Sequence, residues 1–296
     1  MQKTDISVNE LVKKVQRREL VLPEMQRRYV WTATRVRDLL DSLYRGYPSG
    51  AILVWETDDD IITRDVSVIS DGSPSTSRKL LLLDGQQRLT SLTAIISGNP
   101  VQVRNRIRPI EIMFNLEHPD GPPTEITEVD ENDSTIEENG DEEESSERDV
   151  YGDLKKRTFV VAAGALKNDP VWVPVSDIFS KESGEILQRT GITSFDDPRY
   201  AKYLERIQKV KAIENYPYVM QILEKDMSYE EVTEIFVRVN SLGIKLRGSD
   251  LALAQISSKW SGFMKLIEEF AEQFGDDGDY IVESGLPVIS LKPQYR

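Results

Sequence analysis

Apolar positions along the chain fall into short runs that alternate between helical and extended spacing, a pattern that predicts a mixed α/β fold of the α+β kind. Val8, Leu11, Val12 and Val15 share one helical face behind a Ser7-Val8-Asn9-Glu10 capping box, so a short helix runs to about Arg18 and ends before Val21-Leu22-Pro23. Val36, Leu39, Leu40, Leu43 and Tyr44 mark a second helix, capped by Thr32 or Thr34 and closed at Gly46-Tyr47-Pro48. Ala51 to Trp55 reads as a strand, followed by a polar loop from Asp58 to Ser77. Leu80 to Leu83, bounded by Lys79 and Asp84-Gly85, suits a strand covered on both faces. Leu89, Leu92, Thr93 and Ile96 then recur at helical spacing until Gly98 and Pro100 stop the helix. Further strands are expected at Ile110–Leu116, Phe159–Leu166, Val171–Val175 and Tyr216–Leu223. Val175 to Phe179 begins a short helix, and Tyr200, Leu204, Ile207, Val210 and Ile213 form a longer helical face. A second capping box, Ser228-Tyr229-Glu230-Glu231, opens a helix with Val232, Ile235, Phe236 and Val239 inward and Gly243 as its stop. Ser249 caps one more helix carrying Leu251, Leu253, Ala254 and Ile256, and Trp260 to Phe274 is helical again.

Composition changes this picture in one place. The chain of 296 residues carries a net charge of −14, but 15 acidic residues against the single basic Arg148 lie between Glu117 and Asp149. The rest is balanced at 36 acidic and 36 basic residues, so a low pI does not exclude a basic face on the folded part. The acidic tract has too little apolar surface to offset its ordering entropy, and is expected as a disordered insertion. Its carboxylates lack the spacing of a calcium loop. The resulting organisation is an N-terminal part over 1–116, the insertion over 117–149, a mainly helical continuation over 150–275, and a tail or the start of a missing region over 276–296. There is no cysteine, which excludes disulfides, a thiolate nucleophile and Cys-ligated metal centres. No long apolar run and no leader pattern is visible, so a cytoplasmic protein with no membrane partner is expected. The one histidine, His118, falls in the acidic tract, which argues against a His-based nuclease or zinc site in this chain. No P-loop pattern occurs.

Three polar clusters carry candidate chemistry. Asp84-Gly85-Gln86-Gln87-Arg88 stands where the leucine strand meets a helix, and it reads in two ways. Backbone N–H groups and the fork of Arg88 make an anion site; alternatively Asp84 is an N-cap, Gly85 a turn and Arg88 a surface charge. Around Phe236-Val237-Arg238-Val239-Asn240, the polar Arg238, Asn240 and Lys245 gather beside a glycine turn, suiting phosphate or ribose, or simple helix capping. Gln26, Arg27 and Arg28, flanked by Tyr29 and Trp31, suit contact with a base or backbone phosphate, or simple solvation.

Taken in order, Gln26-Arg27 with the following aromatic and Trp31, then Leu83-Asp84-Gly85-Gln86-Gln87-Arg88, then Phe236-Val237-Arg238-Val239-Asn240 with Gly243 and Leu246, resemble the N-terminal domain of GmrSD-type restriction enzymes. The resemblance implies a ParB/sulfiredoxin-like core with a helical C-terminal part. It also implies phage defence that uses a nucleoside triphosphate and Mg2+ to drive cleavage of modified DNA, the cutting being done by a His-Asn-His nuclease domain that nothing here matches. Carried over by position, Gly85, Gln86, Gln87 and Arg88 would hold phosphates, with Asp84 holding magnesium or orienting water beside Arg88 as the catalytic pair. Arg27, Arg238, Asn240 and Lys245 would complete the nucleotide pocket. Gln26, Arg27, Arg28, Tyr29 and Trp31 would sense DNA. Expected partners are a nucleoside triphosphate, DNA and a nuclease domain or subunit, with self-association open. The rival expectation is a DNA-sensing module without catalysis of its own. The sharpest expectation is that Arg88 faces a phosphate.

Overall fold

The structure, a computed structural model, describes residues 1–23, 31–57, 63–64, 80–101, 103, 109–121, 152, 154–162, 166, 168–241, 256, 260, 262–263 and 266. In chain order the elements are β1 (Gln2–Ser7), α1 (Val8–Gln16), β2 (Leu20–Pro23), α2 (Ala33–Tyr44), β3 (Ile52–Glu56), β4 (Thr63–Arg64), β5 (Leu80–Asp84) and α3 (Gln86–Ile96). There follow β6 (Ile112–Asn115), β7 (Phe159–Val161), β8 (Trp172–Pro174), α4 (Val175–Ser180), α5 (Ser183–Arg189), α6 (Tyr200–Lys211), β9 (Pro217–Leu223) and α7 (Tyr229–Ser241). The mixed α/β content expected from the pattern is what the chain adopts. Two compact units divide it, one made of Met1–Trp31, Gly50–Thr93 and Asn215–Arg296, the other of Thr32–Ser49 and Ala94–Glu214.

In the first unit a mixed sheet has the order β1-β9-β3-β5-β2-β4. Strand β2 runs parallel to β5 and β9 parallel to β3, while β3 is antiparallel to β5. These directions bring the C-terminal ends of β5 and β2 and the N-terminal ends of β3 and β9 to one end of the sheet. The run Leu81-Leu82-Leu83 is fully buried, as its unbroken apolar character requires of a central strand. One face packs Val21, Leu53, Trp55, Leu81, Leu83 and Leu223 against Val232 and Phe236 of α7. The indole of Trp55 donates from Nε1 to the Glu224 carbonyl at 3.2 Å, so even this buried ring leaves no polar atom unpaired. The capping box forms reciprocally: the Ser228 amide donates to Glu231 Oε2 at 2.8 Å and the Glu231 amide to Ser228 Oγ at 3.3 Å.

Several elements depart from expectation. The pattern predicts no element where β1 stands, and β2 replaces what reads as a simple helix break. Lys3, Thr4 and Asp5 of β1 are exposed and show no apolar alternation; the strand exists because it pairs in register with β9, from Gln2↔Ile222 to Ser7↔Pro217. Thr63–Arg64, inside the expected polar loop, pairs with β2. Val239 is 38% exposed rather than inward, because the sheet contacts of α7 are made by Val232 and Phe236, with Val237 packed alongside, and its last turn lies past them. The rest of the polar loop, the Gly243 stop and the helices expected beyond it fall outside the described residues, apart from the isolated positions given above.

In the second unit a three-stranded sheet, β7-β6-β8, packs beside α2 and α4, with α5 and α6 alongside. The inward face of α2 is Val36, Leu39, Leu40, Leu43 and Tyr44, as the spacing predicts, although Thr32 makes no side-chain cap. Strands β6, β7 and β8 fall within the stretches expected for them, and α4 follows at Val175. Tyr44 lies 5.4 Å from Phe114 and 5.7 Å from Phe159 by ring centroids. The start of the acidic tract is part of this unit, contrary to a disordered segment beginning at Glu117. His118 is buried, and its Nδ1–H donates to the Pro119 carbonyl at 2.7 Å, leaving Nε2 to accept from Tyr44 Oη at 3.0 Å. Glu117 accepts from Tyr203 Oη at 2.5 Å and Asp120 from Arg206 at 2.8 Å. These pairings tie Glu117 and Asp120 to α6 while both carboxylates stay exposed to solvent. The hydrogen bond from Tyr203 is the main reason the Glu117 carboxyl sits below its ordinary range, while burial pushes the Tyr44 hydroxyl up to about 12. Residues 122–149 lie outside the described residues. No helix among the described residues is long and apolar enough to cross a membrane.

Two predictions follow from this packing. Phe236→Ala removes a ring packed under the sheet and lowers unfolding free energy by roughly 3–5 kcal/mol, whereas Val239→Ala changes it by less than about 0.5 kcal/mol; urea denaturation measures both. Burial is the main cause holding the His118 imidazole below its usual pKa, so the unfolded chain takes up this proton first as the pH falls. Stability is therefore complete above about pH 6.5 and declines below it. With one histidine in the chain, urea midpoints at pH 7.5 and 5.5 isolate the effect: the wild type loses stability across that window and His118→Gln loses less. Equal losses contradict the buried neutral imidazole.

Candidate functional site

The leucine strand ends at the shared end of the sheet. There Leu53 pairs with Asp84 and Val54 with Leu82, so a bulge sets three residues of β5 against two of β3 immediately before the helix. A bulge of this kind turns the strand and re-aims its last side chain. Gly85 follows with φ +99°, a left-handed conformation that favours glycine, and a Cβ there would lie 2.5 Å from Ile52 Cδ1. The neighbour that approaches Gly85 closely is therefore a core side chain. The amide of Leu89 donates to the Gly85 carbonyl at 2.9 Å, the first bond of α3.

The three polar residues of the first turn are all drawn into the protein. Gln86 and Gln87 are each 8% exposed. Gln87 Oε1 accepts from the Trp31 amide at 3.1 Å, and Ser91 Oγ donates to the Gln87 carbonyl at 2.7 Å. Arg88, with its side chain 13% exposed, donates from Nη2 to the Ala51 carbonyl at 2.8 Å and to Asp84 Oδ2 at 2.9 Å. Its guanidinium carbon also lies 5.9 Å from the centroid of the ring of Tyr218, the second residue of β9. Asp84 is more open, its side chain 36% exposed. Asp84 thus serves as the counter-ion of Arg88 across one helical turn, and α3 begins from a glycine.

The structure brings Asp84, Gly85, Gln86, Gln87 and Arg88 into one turn and ties Trp31 to it through the main chain. Gln26, Arg27, Arg28 and Tyr29 lie outside the described residues. Their flanks are informative: Pro23 ends β2, the parallel neighbour of β5, and Trp31 is hydrogen-bonded to Gln87. Arg238 is exposed on α7 and donates to Glu234 at 2.5 Å, one turn back on its own helix. Asn240 is helical, its side chain outside the described part, and Lys245 lies outside altogether. Sequence reasoning missed Ala51 and Tyr218. A carbonyl acceptor has no sequence signature, and Tyr218 reaches Arg88 only because β9 pairs with β3 far away in the chain. Among the described residues no group of three or more His, Cys, Asp or Glu is arranged to hold a metal.

The chain matches, over residues 8–257, the family model described as the N-terminal domain of the GmrSD restriction endonuclease, and it belongs to that family. The match takes in every candidate residue named above. It is also similar to uncharacterized protein MJ0686 of Methanocaldococcus jannaschii, at 26% identity over 281 residues. That alignment covers 90% of this chain and 43% of the relative, so the chain spans less than half the length of the curated relative it matches.

The two members of the ion pair differ in what they support. Arg88→Ala strips a largely buried charged donor from the Ala51 carbonyl and costs roughly 1.5–3 kcal/mol. Asp84→Asn alters only the more exposed partner and costs less than about 1 kcal/mol. Urea denaturation of the two variants checks the order; equal costs would mean that Arg88 gains nothing from Ala51.

Proposed function

We propose that this chain is the nucleotide-handling part of a modification-dependent, phage-defence restriction system, binding a nucleoside triphosphate at the turn Asp84 to Arg88 and hydrolysing it. The observation that carries the reading is the turn itself. A bulged strand end, a left-handed glycine and two buried glutamines hold an arginine in the first turn of α3, at the positive end of the helix dipole. Such a turn suits the phosphates of a nucleotide, as the resemblance to ParB and sulfiredoxin turns also suggests. Arg27, Arg238, Asn240 and Lys245 are the further nucleotide contacts in this reading.

The donor set near Asp84 suits magnesium in one way only. A single half-exposed carboxylate cannot cage the ion, but Mg2+ is commonly held by one or two carboxylates with the remaining positions filled by substrate phosphates and water. Asp84 would hold it, and the bound ion would supply charge neutralisation at the phosphates. The chain's own contribution is electrostatic and positional. Arg88 stabilises negative charge on the phosphoryl oxygens, and Gln87, locked to the Trp31 main chain, fixes the position that follows the segment carrying Gln26, Arg27 and Arg28. Cutting of DNA falls to a nuclease domain or subunit, and the sensing of modified DNA to Gln26, Arg27, Arg28, Tyr29 and Trp31.

The same Trp31–Gln87 bond favours a second reading, a DNA-sensing module without catalysis, in which the central turn holds a backbone phosphate. Two measurements separate the readings. With Mg2+ present, a nucleoside triphosphate raises the melting temperature of the wild type by mass action and phosphate is released, while Arg88→Ala releases it at least about 100-fold more slowly. If no triphosphate shifts the melting temperature and no phosphate appears, the nucleotide reading is wrong. In that case a steep loss of DNA binding with rising salt, relieved in Arg27→Ala, supports the sensing module.

A further inference from the structure

We infer that Gly50 is a positioning residue for Arg88: the turn into β3 carries glycine because the guanidinium occupies the space that a side chain would need. A Cβ built on Gly50 would lie 2.4 Å from Arg88 Nη1 and 3.2 Å from Arg88 Cζ. A gap of 2.4 Å is far inside van der Waals contact, and the group able to yield is the end of the arginine. Any side chain at position 50 therefore moves Arg88. Gly50 also holds φ at +87°, so the turn is left-handed.

The next residue, Ala51, supplies the carbonyl that Arg88 Nη2 donates to at 2.8 Å, and Tyr218 supplies the ring beside the guanidinium. Gly50 and Ala51 precede β3, Tyr218 lies in β9 and Arg88 lies in α3. These segments meet because β3 is the neighbour of both β5 and β9 in the sheet. The seat is a product of the topology, with the space, the acceptor and the ring each from a different residue. Its consequence is that the direction of the Arg88 fork is set by the fold before any ligand arrives, which is the condition for an arginine to discriminate a phosphate by geometry as well as by charge. This consequence for ligand binding rests on the nucleotide reading above; the seat does not.

The test is a double-mutant cycle on the full chain. Gly50→Ala carries two penalties, the left-handed backbone and the collision with Arg88, and only the second disappears when residue 88 is alanine. The expected result is a clearly smaller fall in melting temperature for Gly50→Ala in the Arg88→Ala background than in the wild type. Equal falls overturn the inference. For ligand binding, measured with ATP by calorimetry, Gly50→Ala weakens affinity on the order of 10-fold in the wild type and adds nothing in Arg88→Ala. If the wild type binds ATP and Gly50→Ala binds it equally well, the inference fails while the nucleotide reading stands; if the wild type binds no triphosphate, that reading fails and the stability cycle still decides the seat. Should Gly50→Ala fail to fold, Gly50→Asn, a residue that tolerates the left-handed backbone better, takes its place in the same cycle, and equal falls in the two backgrounds again overturn the inference.

Discussion

A guanidinium taken largely out of water must find its hydrogen-bond acceptors in the protein, and in this chain that requirement fixes one end of a sheet. Arg88 shares its Nη2 between the carbonyl of Ala51 and the carboxylate of Asp84, beside the ring of Tyr218. Each partner comes from a different strand or strand end. The leucine run of β5 can occupy the centre of the sheet because its last residue leaves the core as an aspartate. The following glycine then turns the chain into a helix whose first turn is polar but not exposed. Hydrophobic burial builds the sheet, and the arginine ties the end of β5 to the starts of β3 and β9.

Much of this was legible in the residues, and the reasons differ from element to element. Four consecutive leucines before Asp-Gly mark a central strand and its end because no other setting hides them. The inward face of α2 and the Ser228 capping box follow from local periodicity and local hydrogen bonding. Strand β1 was not legible: Lys3, Thr4 and Asp5 acquire extended structure only by pairing with β9, some two hundred residues away. Nor was the order at Glu117 and His118, whose composition matches a solvated tract while their hydrogen bonds to Tyr203 and Tyr44 are tertiary. At the site, the five residues of the central turn were readable as a unit because they are contiguous. Ala51, Gly50 and Tyr218 were not, since each acts through geometry that only the sheet order creates.

The family assignment and the site geometry meet at this turn. As a member of the GmrSD N-terminal family, the chain holds the largely buried Arg88 where strands and helix converge, and Trp31 attaches the arginine-bearing segment directly to the same turn. That arrangement gives a physical route from nucleotide to DNA in the proposed function: a ligand that engages Arg88 disturbs the turn held by Gln87, and Gln87 holds the main chain at the end of the segment carrying Arg27 and Arg28. In that proposal the coupling needs no long-range pathway, because the Trp31–Gln87 hydrogen bond would join the two proposed sites.

The most direct test is to watch Arg88 itself. In uniformly 15N-labelled protein, the side-chain signal of Arg88, identified by its loss in Arg88→Lys, is predicted to shift saturably as a nucleoside triphosphate is added with Mg2+, at concentrations that also shift the Trp31 amide. A titration in which other arginines respond while Arg88 and Trp31 stay unmoved, or in which nothing responds, contradicts the account.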